Sequence, residues 1–421
     1  MAKRRTLTKR WTLVQLLDLT KYVIERVERW PGWGKLFLKQ KREAYPCPGC
    51  GQVYMWCQSR RWRRLRDLDI SGRHIELMVP VHRIWCSTCG RREIAITIAR
   101  WNARCTKRLE RDLFRLTKDM TVTAASERME LHWDTVKDSE IRYIRGLLRK
   151  RKLDGIRRIG IDEVSYQKGH RYLTLVTDLD HRRVIFATHH NDGKAIGRFV
   201  RWFGATRCNR LRVVVTDMHD PYVKVLRIAL PHAALVYDHF HVSKLIHTAI
   251  DEIRRRLQRD LPKKERDVIK GKRWVLLIAK ENLTEKQEVS LAELMAANAE
   301  LAAAYILKEL FRWVFKAKTR KAGEKRLLRW EDKARTSGIP ELKQVLKTIA
   351  HRREGIMNFF EYQAANGMAE GFNNVVGTIK KQAYGFHDRD YLMLKILRIC
   401  GKLDSDTLMR KTKSTKRPWR K

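Results

Sequence analysis

No run of this sequence comes near the ~18 consecutive apolar residues of a membrane-spanning helix. Its opening, MAKRRTLTKRWTLVQ, has neither the apolar centre nor the small-residue cleavage site of a secretory signal. A cytosolic, reducing compartment is therefore expected, and with it metal-bound or free thiols rather than disulfides for the eight cysteines. Acids are also scarce: 47 Asp and Glu stand against 91 Lys and Arg, a formal charge of +44. Such a chain repels itself unless a polyanion shares the load, and nucleic acid is the expected polyanion. A basic ribosome-like or membrane-surface protein is the plainer alternative. The 421 residues leave room for roughly three domains of about 150 residues each.

What the sequence does have is paired cysteine. CPGC (Cys47, Cys50) and CSTC (Cys86, Cys89) are two knuckles thirty-five residues apart, each followed by glycine, Gly51 or Gly90. Two such knuckles make a closed tetrahedral four-thiolate zinc site, structural because no position is left open for substrate. Cys57, Cys105, Cys208 and Cys400 stand alone and are expected to pack. Between the knuckles, β-type sequence around residues 74–85 follows a cluster of Arg60, Arg61, Arg63, Arg64 and Arg66 interleaved with Trp56 and Trp62, a pattern suited to phosphate contact and stacking. A solvated basic face would look the same. The stretch TVTAASERMELHWDTVKDSEIRYIRGLLRKRK has a helix-turn-helix cadence. Ser126 is the small inter-helix residue, Leu131 the apolar turn residue and Val136 the anchor of a recognition helix exposing Trp133, Asp134 and Lys137; Glu130 stands where the turn often has glycine.

After residue 155 the texture becomes β-rich. RRIGIDEVS, RYLTLVTDLD and RRVIFATHH read as antiparallel strands, and LRVVVTDM and AALVYDHFHV as strands buried on both faces with helices between them. Three antiparallel strands followed by helix-alternated strands is the order of a ribonuclease H-like sheet. Residues 244–362 read as basic helices, and RKTKSTKRPWRK as a disordered tail.

Asp162 closes RIGID and Asp217 closes VVVTD, each where an apolar strand gives way to a turn. Side chains at strand ends escape the core on rigid backbone. Two such acids joined by a third from a helix can hold two Mg2+ ions about 3.5 to 4 Å apart, the geometry of phosphodiester chemistry. Glu370, opening a helix in ANGMAEGFNNVVGTIKKQAYGF, is the third candidate; Glu163, Asp178 and Asp220 are nearby competitors. Asp238 and His241 in YDHFHV supply a supporting acid and a histidine, with His239 an alternative to His241.

In this order, zinc knuckles, helix-turn-helix, GIDE, VVTDM, DHFHV and AEGFNN…KKQAYGF, the chain resembles the DDE transposases of bacterial insertion sequences, the ISL-three family, over most of residues 45–400. The resemblance implies Asp162, Asp217 and Glu370 as the metal-binding triad, with two Mg2+ (or Mn2+) per site, and Asp238 and His241 as a D-x-x-H element. It also implies a multidomain α+β chain. The expected segments are 1–44 helical and unassigned, 45–104 zinc-binding, 105–152 helix-turn-helix, and 153–243 the first part of a ribonuclease H-like α/β core. An all-helical insertion over 244–362, the last part of the core over 363–402 and a basic tail over 403–421 complete the chain. Only the asparagine of the SN that often precedes the final acid is kept, at Asn366. The implied activity is transposition. Terminal inverted repeats of double-stranded DNA would be bound, paired by a homodimer, cleaved by hydrolysis and joined through their 3′-hydroxyls to target DNA, in a bacterial cytoplasm at the nucleoid. Two other readings of the residues stay open: a transposase-derived DNA-binding regulator without activity, and a structure-specific ribonuclease H-like nuclease.

Overall fold

Residues 22–40 form a hairpin rather than the helical segment expected there. After a short helix α1 (Leu13–Leu16), strands β1 (Tyr22–Trp30) and β2 (Trp33–Gln40) pair antiparallel around Pro31 and Gly32, with Gly32 at φ +76°. The alternation in WGKLFLKQ explains the outcome, because it places Gly34, Leu36 and Leu38 on one buried face. The structure is a computed structural model that describes residues 13–17, 19–41, 44–167, 171–190, 192–386 and 388–403. The basic tail, apart from Leu403, lies outside those residues, as does the start of the chain to residue 12.

The chain divides into two units, Met1–Lys150 and Arg151–Lys421. In the first, a small ribbon of β3 (Tyr45–Pro46) and β4 (Val53–Tyr54) leads into a long hairpin, β5 (Ser59–Ile70) and β6 (Arg73–Cys86), and then β7 (Gly90–Glu93). The main sheet runs β1-β2-β6-β5, with β2 parallel to β6 and β7 added to the far end of β6. Leu36, Leu38, Leu65, Leu77 and Val79 bury one face of it. The expected boundary at residue 44 therefore falls inside one fold, since the opening hairpin completes the sheet of the cysteine-bearing segment. Helices α2 (Lys107–Asp119), α3 (Val122–Met129) and α4 (Trp133–Lys150) follow, the first two capped by the side chains of Thr106 and Thr121.

In the second unit β8 (Arg158–Gln167), β9 (Arg171–Asp178) and β10 (Arg183–His189) form an antiparallel meander. The chain continues through α5 (Gly193–Phe203), α6 (Ala205–Cys208), β11 (Val213–Thr216), α7 (Asp220–Ala229) and β12 (Ala234–Tyr237). The sheet order is β10-β9-β8-β11-β12, with β11 parallel to both β8 and β12. Ile159, Ile161, Val176 and Val214 pack on one face with Phe199, Phe203, Tyr222 and Leu226 of α5 and α7.

Helices α8 (His239–Asp260), α9 (Lys263–Ile269), α10 (Arg273–Leu277), α11 (Glu285–Ala297), α12 (Ala299–Phe315), α13 (Arg320–Thr336) and α14 (Leu342–Tyr362) then form a separate core around Leu301, Phe311 and Trp330. The last of them returns to β12. Finally α15 (Met368–Gln382) and α16 (Arg389–Ile399) cover the second sheet face, with Val376, Ile379, Leu392 and Ile396 against Val164, Leu173 and Leu175. Among the described residues no helix is long and apolar enough to cross a membrane.

Candidate functional site

The sulfurs of Cys47, Cys50, Cys86 and Cys89 lie within 4.8 Å of one another. Each knuckle turns as its chemistry requires: Gly51 at φ +79° and Gly90 at φ +69° occupy backbone that side chains avoid, and the Cys89 amide donates to Cys86 Sγ at 3.4 Å. A hydrogen bond from Tyr54 draws the Cys86 thiol down to about 6, whereas its contact with Cys50 pushes Cys89 up to about 12. Four thiols so close cannot all ionise without a cation among them, so the donor set fits a structural zinc ion. Cys105, Cys208 and Cys400 are buried as expected, and Cys57 is half-buried with its sulfur 3.4 Å from His82 Nδ1.

Strand alternation divides the five arginines. Arg60 and Arg64 share an outward face with Trp62, while Arg61 pairs bidentately with Glu93 at 3.1 and 3.0 Å. Arg63 donates to the Ala103 carbonyl at 2.5 Å, and Arg66 is buried against Asp69 and His74. Arg63 and Arg66 thus occupy structural places, leaving Arg60 and Arg64 freest for phosphate.

The helix-turn-helix geometry is present in detail. Val136 is fully buried, and Leu131 N–H donates to the Ser126 carbonyl. Trp133 is exposed beneath Lys137, whose ammonium lies 5.2 Å from its ring centre. Glu130 itself adopts the left-handed conformation, φ +46°, that glycine usually supplies, and its carboxylate meets His74 Nε2 at 2.9 Å.

The acids of the second unit are level with one another. Gly160 on β8 faces Val215 on β11, and Val215 faces Val236 on β12. Extending that register by two residues sets Asp162, Asp217 and Asp238 side by side. Asp217 and Asp238 lie just beyond the carboxyl ends of β11 and β12, but Asp162 lies within β8, which runs on to Gln167 along β9 instead of turning at the acid as the sequence suggested. Alternation turns all three to the sheet face that carries α14 and α15. Asp162 Oδ2 accepts from Asn373 Nδ2 at 3.0 Å. Burial raises the Asp162 carboxyl above the usual carboxylate range and Asp217 adds to the rise, while the Glu163 amide, Asn373 and His241 pull the other way. Asp238 is the N-cap of α8; burial pushes it up, but His239, the Phe240 amide and His241 together leave it below its ordinary range.

Because β12 ends at Tyr237, both histidines sit on a helix: His239 Nδ1 lies 3.4 Å from Asp238 with its ring tilted against Phe359 at 5.1 Å, and His241 Nδ1 lies 3.9 Å from Asp238 and also acts on Asp162. Asp178 is buried with His181 and Arg183, and Asp220 is ion-paired with Arg352, so both competitors are committed elsewhere. Glu163 alternates to the opposite sheet face, beside His219 at 3.5 Å.

Glu370 lies exposed in the first turn of α15, three residues before Asn373 and so on the same helix face. Among the described residues only the cysteines form a group of three or more potential metal ligands within 4.8 Å, so Asp162, Asp217 and Glu370 are not drawn to that spacing. The link that holds α15 to β8 was not legible as such: buried Asn366, just ahead of the helix, lies against Gly160. A Cβ added there would meet Asn366 Oδ1 at 2.5 Å. Gly160→Ala should therefore displace the start of α15, lowering stability by about 1–3 kcal/mol and reducing any activity that needs Asp162 and Glu370 together. Thermal unfolding and strand cleavage of the variant measure both.

Family comparison agrees with this layout. Residues 43–95 match a zinc-finger of the transposases IS204/IS1001/IS1096/IS1165, residues 94–138 a helix-turn-helix domain of transposase family ISL3, and residues 159–396 that family's DDE transposase domain. A zinc ribbon and helix-turn-helix ahead of an acid-bearing α/β domain define an insertion-sequence transposase. The chain belongs to the ISL3 family of DDE transposases. It is 32% identical over 390 residues to the transposase of insertion sequence element IS1001 from Bordetella parapertussis, covering 89% of this chain and 94% of that one. It is 30% identical over 388 residues to the transposase of element IS1557 from Mycobacterium tuberculosis, covering 84% and 86%.

Proposed function

We propose that the first unit reads the terminal inverted repeats of an insertion sequence. In this reading the second unit is a ribonuclease H-like core, with α8–α14 inserted before its last acid, that cleaves the ends and joins them to target DNA. The observation that carries it is the level placement of Asp162 and Asp217 on adjacent parallel strands, with Asn373 fixing Asp162 and Glu370 one turn earlier on the same helix. Asp162, Asp217 and Glu370 would hold divalent ions, Mg2+ or Mn2+. Bound there, such ions sharpen the attacking oxygen and take up charge on the leaving oxygen.

The chain's own groups prepare that site. Asn373 and the Glu163 amide donate to the Asp162 carboxylate and fix it in place, and Asp238 and His241 support the neighbouring strand end. Water attacks the scissile phosphorus and the 3′ oxygen departs; that 3′-hydroxyl then attacks a phosphodiester of the target, releasing its 3′ oxygen in turn. A dense positive surface gathers the phosphates around an acidic centre that would otherwise repel them. Two protomers on paired ends complete the reading, together with a place at the bacterial nucleoid.

Labelled inverted-repeat ends incubated with Mg2+ test it, comparing the parent with Asp162→Ala, Asp217→Ala and Glu370→Gln. Cleavage and strand transfer by the parent alone support the reading. Equal cleavage by all four proteins removes this active site, and a parent that binds ends but never cuts under any divalent metal points to the regulator instead.

A further inference from the structure

The outward face of the first unit's sheet carries Arg60, Trp62 and Arg64; its cations suit phosphate, and the chemistry above leaves open which kind of strand supplies it. Its composition follows from strand register. Arg26 on β1 lies opposite Phe37 on β2, Phe37 opposite Met78 on β6, and Met78 opposite Arg64 on β5, so one row of the face runs cation, ring, thioether, cation. The contacts bear this out. The Arg26 guanidinium lies 3.9 Å from the Phe37 ring centre, Phe37 meets Trp62 edge-on at 5.8 Å, and Lys35 lies 5.3 Å from the Trp30 ring.

The rings are open to solvent where core packing would have hidden them: Trp30 is 42% and Trp62 38% exposed, while Leu36, Leu38, Leu77 and Val79 on the opposite face of β2 and β6 are buried. Two acids share the face. Glu28 pairs with Arg26 at 2.8 Å, and Glu76 lies between Lys35 and Arg64 at 3.8 and 3.7 Å, which keeps the long side chains extended across the sheet.

Flat rings interleaved with cations at strand spacing suit one chemistry above others. The π-faces accept bases, and the cations accept the backbone between them. Duplex DNA offers no base faces to a sheet, because they are stacked inside the helix. A protein partner would call for a continuous apolar patch, and Arg26, Lys35, Glu76 and Arg64 interrupt this face between its rings. We infer that this sheet face binds an unpaired DNA strand, with bases on Trp62 and Trp30 and phosphates on Arg26, Arg64 and Lys35. The inference rests on the reading that this unit handles DNA, and it adds a second, single-strand surface to the duplex-reading helix-turn-helix of the same unit.

The test uses the full zinc-loaded chain and two fluorescent probes, an oligothymidine of about twenty nucleotides and a duplex inverted-repeat end, with anisotropy and tryptophan quenching as readouts. The parent should bind both. Trp62→Ala should weaken oligothymidine binding by about tenfold, cost duplex binding much less and leave zinc content unchanged, and Trp62→Phe should restore the lost affinity. Unaltered oligothymidine binding in Trp62→Ala, or an equal loss on both probes, overturns the inference. A parent that binds the duplex but not oligothymidine overturns it while leaving the DNA-reading unit intact, whereas failure on both probes removes that reading too. Tighter binding of an oligouridine RNA of equal length also overturns the assignment to DNA.

Discussion

Asp162→Ala and Asp217→Ala should each reduce strand cleavage at inverted-repeat ends by about a thousandfold or more, with end binding unchanged. The magnitude follows from losing a ligand to ions that stabilise both the attacking and leaving oxygens, an effect of several kcal/mol at about 1.4 kcal/mol per tenfold in rate. The separation of cleavage from binding follows from the chain's organisation, because the DNA reader belongs to the unit before Arg151 and the acids to the unit after it. Asp162→Asn is the sharper control. It keeps the shape of a side chain that receives the Asn373 amide at 3.0 Å while removing a half-buried charge beside Asp217. Its thermal midpoint in chelator should equal or exceed the parent's while cleavage is lost. A drop in both would assign Asp162 to the scaffold.

The second large effect concerns the thiolates. Cys47→Ser or Cys86→Ser should remove about one zinc ion per chain and unfold the ribbon around it. Cys86 ends β6, the strand that pairs with β2, β5 and β7, so the damage should spread into the sheet. Duplex-end binding should then fall by about a hundredfold, since several phosphate and base contacts depend on that unit. Metal analysis and anisotropy on the same preparation check this together. Unchanged zinc in either variant would defeat the assignment. Cys208→Ser or Cys400→Ser, at buried positions outside the four-cysteine group, should leave zinc content intact.

How much of this was legible in the sequence depends on how local each signal is. The knuckles were readable because a metal needs its ligands at fixed short spacing, and the turns at Gly51 and Gly90 follow from that. Val136, Ser126 and Leu131 were readable for a similar reason, since a helix-turn-helix packs within thirty residues. Asp217 showed itself by closing an apolar strand, and Asp162 by ending an apolar run although β8 itself continues to Gln167; their level register needed the pairing of Gly160 with Val215, fifty-five positions apart.

The hairpin at residues 22–40 went unread because its sheet partner, β6, begins only at Arg73. The cue was present in Pro31-Gly32 between two aromatic-bearing runs, a turn signal that outweighs the charged, helix-like texture around it. The arginine cluster was legible as charge but not as function. Alternation along β5, fixed by its register with β6, puts Arg60, Arg64 and Arg66 on one face and Arg61 and Arg63 on the other; Asp69 and His74 then bury Arg66, and the Ala103 carbonyl takes Arg63. Asn366 is the subtlest case, a buried amide whose reason lies against a glycine more than two hundred residues earlier.

The central claim is that Asp162, Asp217 and Glu370 hold the same ions. Replacing Mg2+ with Fe2+ in the presence of peroxide and ascorbate generates hydroxyl radicals at the bound metal and cuts the polypeptide nearby. Fragment mapping should find cuts clustered at three places, around residues 162, 217 and 370, all suppressed by excess Mg2+. Cuts at the first two places with none near 370 would contradict the triad and return the third ligand to the other acids of the site.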